Sequence, residues 1–302
     1  MEESLHLHPL SICSLIPHMT KTPIFQIDAP SAQDLATFHR DGYVAFPGIF
    51  TEAGRAGLLA ETVNHEQIVD FVHKSDLERS TLPQPYQLLV RDWNNKGFWS
   101  DQLFDAPLVK SLLQVVIGDH YHFCHSTLHV SLRGTPPLHF HQDHHHWKHE
   151  NPINLAERER WYIQMLYYPN GFTRGDRSLA VIPGSHRVPP TPDVTLDKLL
   201  VGTYDALAGQ PLKVDQLELP PGSMVFLNAR TFHAVAPKPL DSPQPFRIFL
   251  NYIFKEAGPP HRWTQVIPSE WLAHADPHRQ MLFQREPYTP ECWDQTAIAN
   301  RQ

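Results

Sequence analysis

The sequence predicts an α+β fold that is mainly β: helices first, then a β-rich body suited to a double-stranded β-helix (jelly roll). Three observations predict it. Apolar residues recur with a period near 3.6 before Gly118 and of 2 after it. The strand-like runs after Gly118 are short and separated by Pro, Gly and Asn/Asp turns. The 29 prolines in 302 residues are about twice the usual share and recur from Pro136 to Pro290, which excludes long uninterrupted helices and helical-hairpin repeats.

Ser31 is placed to cap a short amphipathic helix through Asp34, Leu35 and Phe38 that Gly42 stops. A strand follows at Tyr43-Val44-Ala45-Phe46, then a Pro47-Gly48 turn. Thr51 caps a longer helix through Leu58, Leu59, Thr62, Ile68 and Val69 to about Val72. Asp105, with Pro107 in the first turn, opens a third helix carrying Leu108, Leu112, Leu113 and Val116 on one face, and Gly118 ends it. Strands are expected over 120–132, 138–143, 161–168, 179–182, 223–228, 231–236 and 246–254, with short helical pieces near 193–208. No repeat or linker divides the chain. Residues 1–27 read as a poorly ordered N-terminal extension and residues 28–302 as one domain, with its β-rich core at about 120–255.

Composition narrows the partners. A net charge of −7 and a pI near 6.3 speak against nucleic acid, which demands a basic stripe. No apolar run approaches 18 residues, so no membrane span is expected. The N-terminus lacks the basic start and continuous apolar stretch of a secretory signal. Cys13, Cys124 and Cys292 are too widely spaced for a disulfide framework or a zinc pattern, which suits a reducing, cytoplasmic compartment. Nothing in the sequence sets the oligomeric state.

Histidine is the outlier. The chain has 21, and six of them (His139, His141, His144, His145, His146, His149) fall within eleven residues. On a strand over 138–143, His141 and Asp143 point to one face. With one more histidine they would make the two-His, one-carboxylate triad of non-haem iron sites. The tripeptide alone carries little: about one His-x-Asp is expected by chance from this composition, and three occur. His39-x-Asp41 lies at a helix end, where the side chains diverge, and His274-x-Asp276 precedes Pro277 outside any strand pattern. Only the 141/143 pair has a β context; its alternative is a solvated His-rich loop, and His139 on the same face competes as a ligand.

His233 sits in Thr231-Phe-His-Ala-Val, as a third ligand or as a satisfied core residue. In Phe246–Phe254, Phe246, Ile248, Leu250, Tyr252 and Phe254 take one face and Arg247, Phe249, Asn251 and Ile253 the other. An arginine in so apolar a strand needs an anion, either a protein carboxylate or a bound dicarboxylate. Val181-Ile-Pro-Gly-Ser-His-Arg187 reads on its own as a strand ending in a turn.

Taken in order, these segments resemble the phytanoyl-CoA dioxygenase family of Fe(II)/2-oxoglutarate oxygenases. The resemblance rests on Phe38-His-Arg-Asp-Gly-Tyr-Val-Ala-Phe-Pro-Gly48, Phe140-His-Gln-Asp143, Leu179-Ala-Val-Ile-Pro-Gly-Ser-His-Arg187 and His233 followed by Arg247, over roughly residues 32–255. It implies a double-stranded β-helix with the N-terminal helices packed on one side. It also implies Fe(II), 2-oxoglutarate and O₂ as cofactor and cosubstrates, iron ligands at His141, Asp143 and His233, and a 2-oxoglutarate clamp at Arg247. His125 and His129 stand where ectoine-hydroxylase-like members use Gln and Asn near the cosubstrate, Trp147 matches an aromatic residue of the pocket, and Thr231 is placed to hydrogen-bond the cosubstrate. The implied reaction oxidises, and in the first instance hydroxylates, an unactivated C–H of a small metabolite or natural-product intermediate, with release of succinate and CO₂. Two other readings compete: a cupin-like metal enzyme that needs no 2-oxoglutarate, and a non-catalytic metal-binding jelly-roll protein.

Overall fold

The computed structural model describes residues 22–93, 97–143, 162–189, 191, 193–256, 273 and 275–283. The first helix, α1 (Ala32–Asp41), begins as expected: Ser31 Oγ accepts from the Asp34 amide at 3.2 Å while the Asp34 carboxylate accepts from the Ser31 amide. Gly42 stops it in the left-handed conformation, φ 79°, and leads into β1 (Tyr43–Phe46). The expected helix from Thr51 to Val72 is two helices, α2 (Glu52–Val63) and α3 (Glu66–His73). The chain turns at Asn64 and His65, where the His65 ring packs edge-on against Trp93.

After α4 (Asp76–Arg79), β2 (Gln87–Arg91) and α5 (Phe98–Gln102) comes α6 (Pro107–Val116). Its N-cap is Ala106, without a side-chain cap, rather than the expected Asp105. The Asp105 carboxylate is taken by Arg279, which also pairs with Asp101 and docks the helix Pro277–Phe283 onto this region.

The strands that follow are β3 (Tyr121–Leu132), β4 (Leu138–His141), β5 (Ile163–Tyr168), β6 (Leu179–Val181), β7 (Asp215–Gln216), β8 (Ser223–Asn228), β9 (His233–Val235) and β10 (Phe246–Glu256). The helices α7 (Leu196–Leu200) and α8 (Asp205–Ala208) lie between β6 and β7, and α9 (Pro277–Phe283) follows β10. Every pairing is antiparallel. Six strands form one sheet in the order β1-β8-β5-β10-β3-β2, and four form a second in the order β4-β9-β6-β7.

Alternation divides the six-stranded sheet into two faces. On the outer face Met165, Phe226, Leu250, Tyr252 and Phe254 pack with Phe38, Leu58, Ile68, Leu112 and Phe283 of the helices in one apolar core. On the inner face Leu166, Tyr168, Val225 and Leu227 meet Leu179 and Val181 of the four-stranded sheet, so the two sheets face each other. The expected extension over residues 1–27 is corrected where it can be read. Ile24 and Phe25 are buried in the outer core and Phe25 pairs with Phe50, while residues 22, 23, 26 and 27 are exposed; residues 1–21 lie outside the described residues. No helix among the described residues is long and apolar enough to cross a membrane.

Candidate metal centre

The space between the sheets holds a chamber of about 250 Å³. At one end, His141 and His233 face each other across the β4–β9 ladder. An extra residue in β4 between Leu138 and His141 shifts the register, and with that shift the two rings stand 4.4 Å apart, centroid to centroid. Asp143 lies two residues past His141, beyond the strand end, with its amide bonded to the Ala229 carbonyl at 3.2 Å. Gln142 points the other way and is buried against the Arg230 carbonyl, so the two-residue alternation expected of this segment holds for its side chains.

The Asp143 carboxylate meets both imidazoles, Oδ1 at 3.3 Å from His141 Nε2 and Oδ2 at 3.5 Å from His233 Nε2. One ligand atom from each of the three residues lies within 4.8 Å of the others. The hydrogen bonds behind them set the tautomers. His141 Nδ1 lies 2.8 Å from the His139 carbonyl and His233 Nδ1 lies 2.9 Å from the Thr231 carbonyl. A carbonyl oxygen only accepts, which assigns a proton to Nδ1 in both rings and turns each Nε2 toward the carboxylate. Two Nε2 atoms and a carboxylate therefore converge on one point, an arrangement that a shared proton or a metal ion bridges, the metal taking the imine lone pairs of the neutral rings. Burial raises the Asp143 pKa, but the two imidazoles outweigh it and hold the carboxyl well below the usual range. Burial lowers the His141 pKa, and Asp143 outweighs that to raise it.

Gln164 and Asn251 support the carboxylate. The Gln164 amide donates to Asp143 Oδ2, and Asn251 Nδ2 donates to Gln164 Oε1 at 2.7 Å. Gln164 is a site residue that the sequence motifs do not include; its signal is a buried polar residue inside the otherwise apolar run of β5. His139, the competing ligand, is exposed and contributes its main-chain carbonyl, so the cluster among the described residues is His141, Asp143 and His233.

Arg247 also lines the chamber. It is 3 % exposed, its guanidinium carbon lies 5.4–5.7 Å from the ring centroids of Tyr168, Phe249 and Phe172, and Nη1 donates to the Arg177 carbonyl. Its Nε has no hydrogen-bond partner among the described residues. Among the described residues no carboxylate pairs with it, and burial lowers its pKa to about 10. Of the two anions open at the outset, the described residues supply no protein carboxylate at this position.

His125 and His129 both line the chamber. His125 is held neutral chiefly by burial, then by the charge of Arg91, with its pKa lowered to about 4. Burial and the charge of Arg247 lower His129 to about 3. His129 Nδ1 lies 3.1 Å from Gln87 Nε2 and its Nε2 lies 3.1 Å from Thr127 Oγ1, while the ring packs on Phe249.

The expectation for Thr231 is corrected. Strand β9 begins at His233, and Thr231, in the turn before it, sends its hydroxyl to the Gly42 carbonyl at 3.0 Å and lines no part of the chamber. Its contribution is the carbonyl that orients His233. Trp147 lies outside the described residues, as do His144, His145 and His146.

Comparison with known proteins agrees with this geometry. The model of the phytanoyl-CoA dioxygenase (PhyH) family matches residues 38–238, which include all three candidate ligands. The chain belongs to the phytanoyl-CoA dioxygenase family. As a family member it is a 2-oxoglutarate-dependent non-haem iron oxygenase, with iron, 2-oxoglutarate and O₂ as cofactor and cosubstrates. Arg247 lies just past the matched segment, so its role rests on its surroundings.

Three solved structures share the fold. SnoN, a non-haem α-ketoglutarate-dependent epimerase from nogalamycin biosynthesis, is 16 % identical with a TM-score of 0.54, over 74 % of this chain and 82 % of that one. SnoK, a carbocyclase from the same biosynthesis, is 16 % identical with a TM-score of 0.54, over 82 % and 92 %. HygX from Streptomyces hygroscopicus, solved with nickel, 2-oxoglutarate and hygromycin B bound, is 14 % identical with a TM-score of 0.53, over 76 % and 89 %. No curated protein matches the chain by sequence.

Proposed function

We propose that this family member hydroxylates an unactivated C–H of a small metabolite or natural-product intermediate, through iron held by His141, Asp143 and His233. The observation that carries the ligand set is the convergence of two Nε2 atoms and one carboxylate within 4.8 Å, with both Nδ1 atoms committed to carbonyls. Three protein ligands leave the other half of an octahedron open. Bound there, iron with 2-oxoglutarate supplies the oxidising power, with release of succinate and CO₂.

The chain's own residues orient and exclude. Gln164 and Asn251 hold the Asp143 carboxylate toward the two imidazoles. Arg247, lining the same chamber with no carboxylate partner among the described residues, suits the distal carboxylate of 2-oxoglutarate as a two-pronged donor. Leu166, Tyr168, Leu179 and Val235 form apolar chamber walls that keep water from that ion pair. A carboxylate at position 143 fills the ligand position that a halide would otherwise need, which favours hydroxylation. The epimerase and carbocyclase among the structural neighbours make other outcomes of the same oxidant the ones to test for.

This reading takes the two facing sheets as a double-stranded β-helix within a single oxygenase domain, working in the cytoplasm. A small-molecule substrate fits it, as hygromycin B does HygX. The test is anaerobic titration with Fe(II) and 2-oxoglutarate, watching for the visible charge-transfer band, followed by a metabolite screen for succinate release. Asp143→Ala is expected to abolish the band and substrate-coupled turnover. Full activity in that variant rejects the ligand set.

A further inference from the structure

Arg247 is shared with a second cavity, of about 660 Å³, whose lining includes none of His141, Asp143 and His233. Much of its wall is proline and tyrosine: Pro83, Pro85, Tyr86, Pro136 and Pro137. Arg177 lines this second cavity and not the metal chamber.

Arg177 is one of two non-glycine residues among those described with a left-handed backbone, φ 54°, and it is 4 % exposed. A bulky side chain held there is strained, and strain of this kind needs a compensating role. Its carbonyl accepts from Arg247 Nη1. Its guanidinium is held entirely by neutral groups: Nε donates to Ser131 Oγ at 3.1 Å, Nη1 to the Pro136 carbonyl at 2.6 Å, and Nη2 to Gln87 Oε1 at 3.1 Å. The adjacent carboxylate, Asp176, is occupied by Lys238 at 2.9 Å and Ser242 at 2.6 Å. Burial, and after it the charge of Arg247, lowers the Arg177 pKa to about 9. Two neighbouring buried guanidiniums, neither with a carboxylate partner among the described residues, work against folding and await an anion. The Arg177–Gln87 bond also fixes the Gln87 amide so that its nitrogen donates to His129, a chamber residue.

We infer that Arg177 is a positioning residue for the cosubstrate: its carbonyl anchors the Arg247 fork, and its guanidinium adds the second positive charge that makes this end of the chamber select a 2-oxo acid with a distal carboxylate. The inference rests on the reading of Arg247 as the 2-oxoglutarate clamp.

Calorimetry on the Ni(II)-loaded full chain tests it without turnover. Two probes are compared: 2-oxoglutarate, and 2-oxopentanoate, which has the same carbon count but no distal carboxylate. The wild type is expected to prefer 2-oxoglutarate strongly. Arg177→Gly, which suits the left-handed backbone, is expected to shrink that preference about tenfold or more while Ni(II) affinity stays unchanged. A merely structural role would weaken both acids alike, so an unchanged ratio overturns the inference. If the glycine variant fails to fold, Arg177→Met, which keeps side-chain length and loses the charge, is read by the same ratio. A wild type with no preference for 2-oxoglutarate overturns the Arg247 reading and this inference with it. A preference retained in the variants overturns the inference alone.

Discussion

Strand β10 puts Ile248, Leu250, Tyr252 and Phe254 on the helix side of the six-stranded sheet, and Arg247, Phe249 and Asn251 on the chamber side. Both rows are buried or half-buried, yet their chemistry differs. The helix-side row is apolar and packed, the ordinary source of stability. Among the described residues, the chamber-side row carries a cation without a counter-ion and an amide whose Oδ1 has no partner. Burial that stabilises and burial that waits for a ligand thus alternate along one strand, residue by residue.

Substitutions on the two faces should separate these roles. Leu250→Ala, fully buried on the helix side, is expected to lose about 2–5 kcal/mol in denaturant unfolding, with Ni(II) and 2-oxoglutarate affinities unchanged. Arg247→Met is expected to lower 2-oxoglutarate affinity about 100-fold while thermal stability holds or rises, because an uncompensated buried charge is removed. A melting loss larger than that of Leu250→Ala would break the distinction. Gln164→Leu should reduce metal affinity by roughly 10–100-fold through the loosened Asp143 carboxylate, read by competition with a chromophoric chelator. The smallest effect belongs away from both faces: Ser31→Ala removes the first helix cap, about 1 kcal/mol of stability, with no change in ligand binding.

Where local physics decides, the sequence is legible. Ser31 and Gly42 bound α1 as expected because capping and left-handed turns need only neighbours in the chain. The β10 alternation separates Arg247 from Leu250 before any tertiary contact is known. Distant partners hide the rest. Asp105 has the right type and place for a helix cap, but Arg279, far along the chain, claims its carboxylate. Strand β2, Gln-Leu-Leu-Val-Arg, does not alternate and lies between proline-rich and aromatic segments; it is a strand because β3 supplies its ladder. The strand expected over 231–236 would put Thr231 on the same face as His233, but the strand starts only at His233. Nothing local in the sequence marks Arg177 as buried, because its burial depends on acceptors from Ser131, Pro136 and Gln87.

Gly42 does more than end a helix. Its carbonyl receives both the Asn228 amide and the Thr231 hydroxyl, and a β-carbon at this position would press on His186 and Thr231. Thr231 in turn orients the ring of His233. The allowance for change at residue 42 is thereby written by a candidate metal ligand almost two hundred positions downstream, and a methyl group added there would register first as a misaimed imidazole.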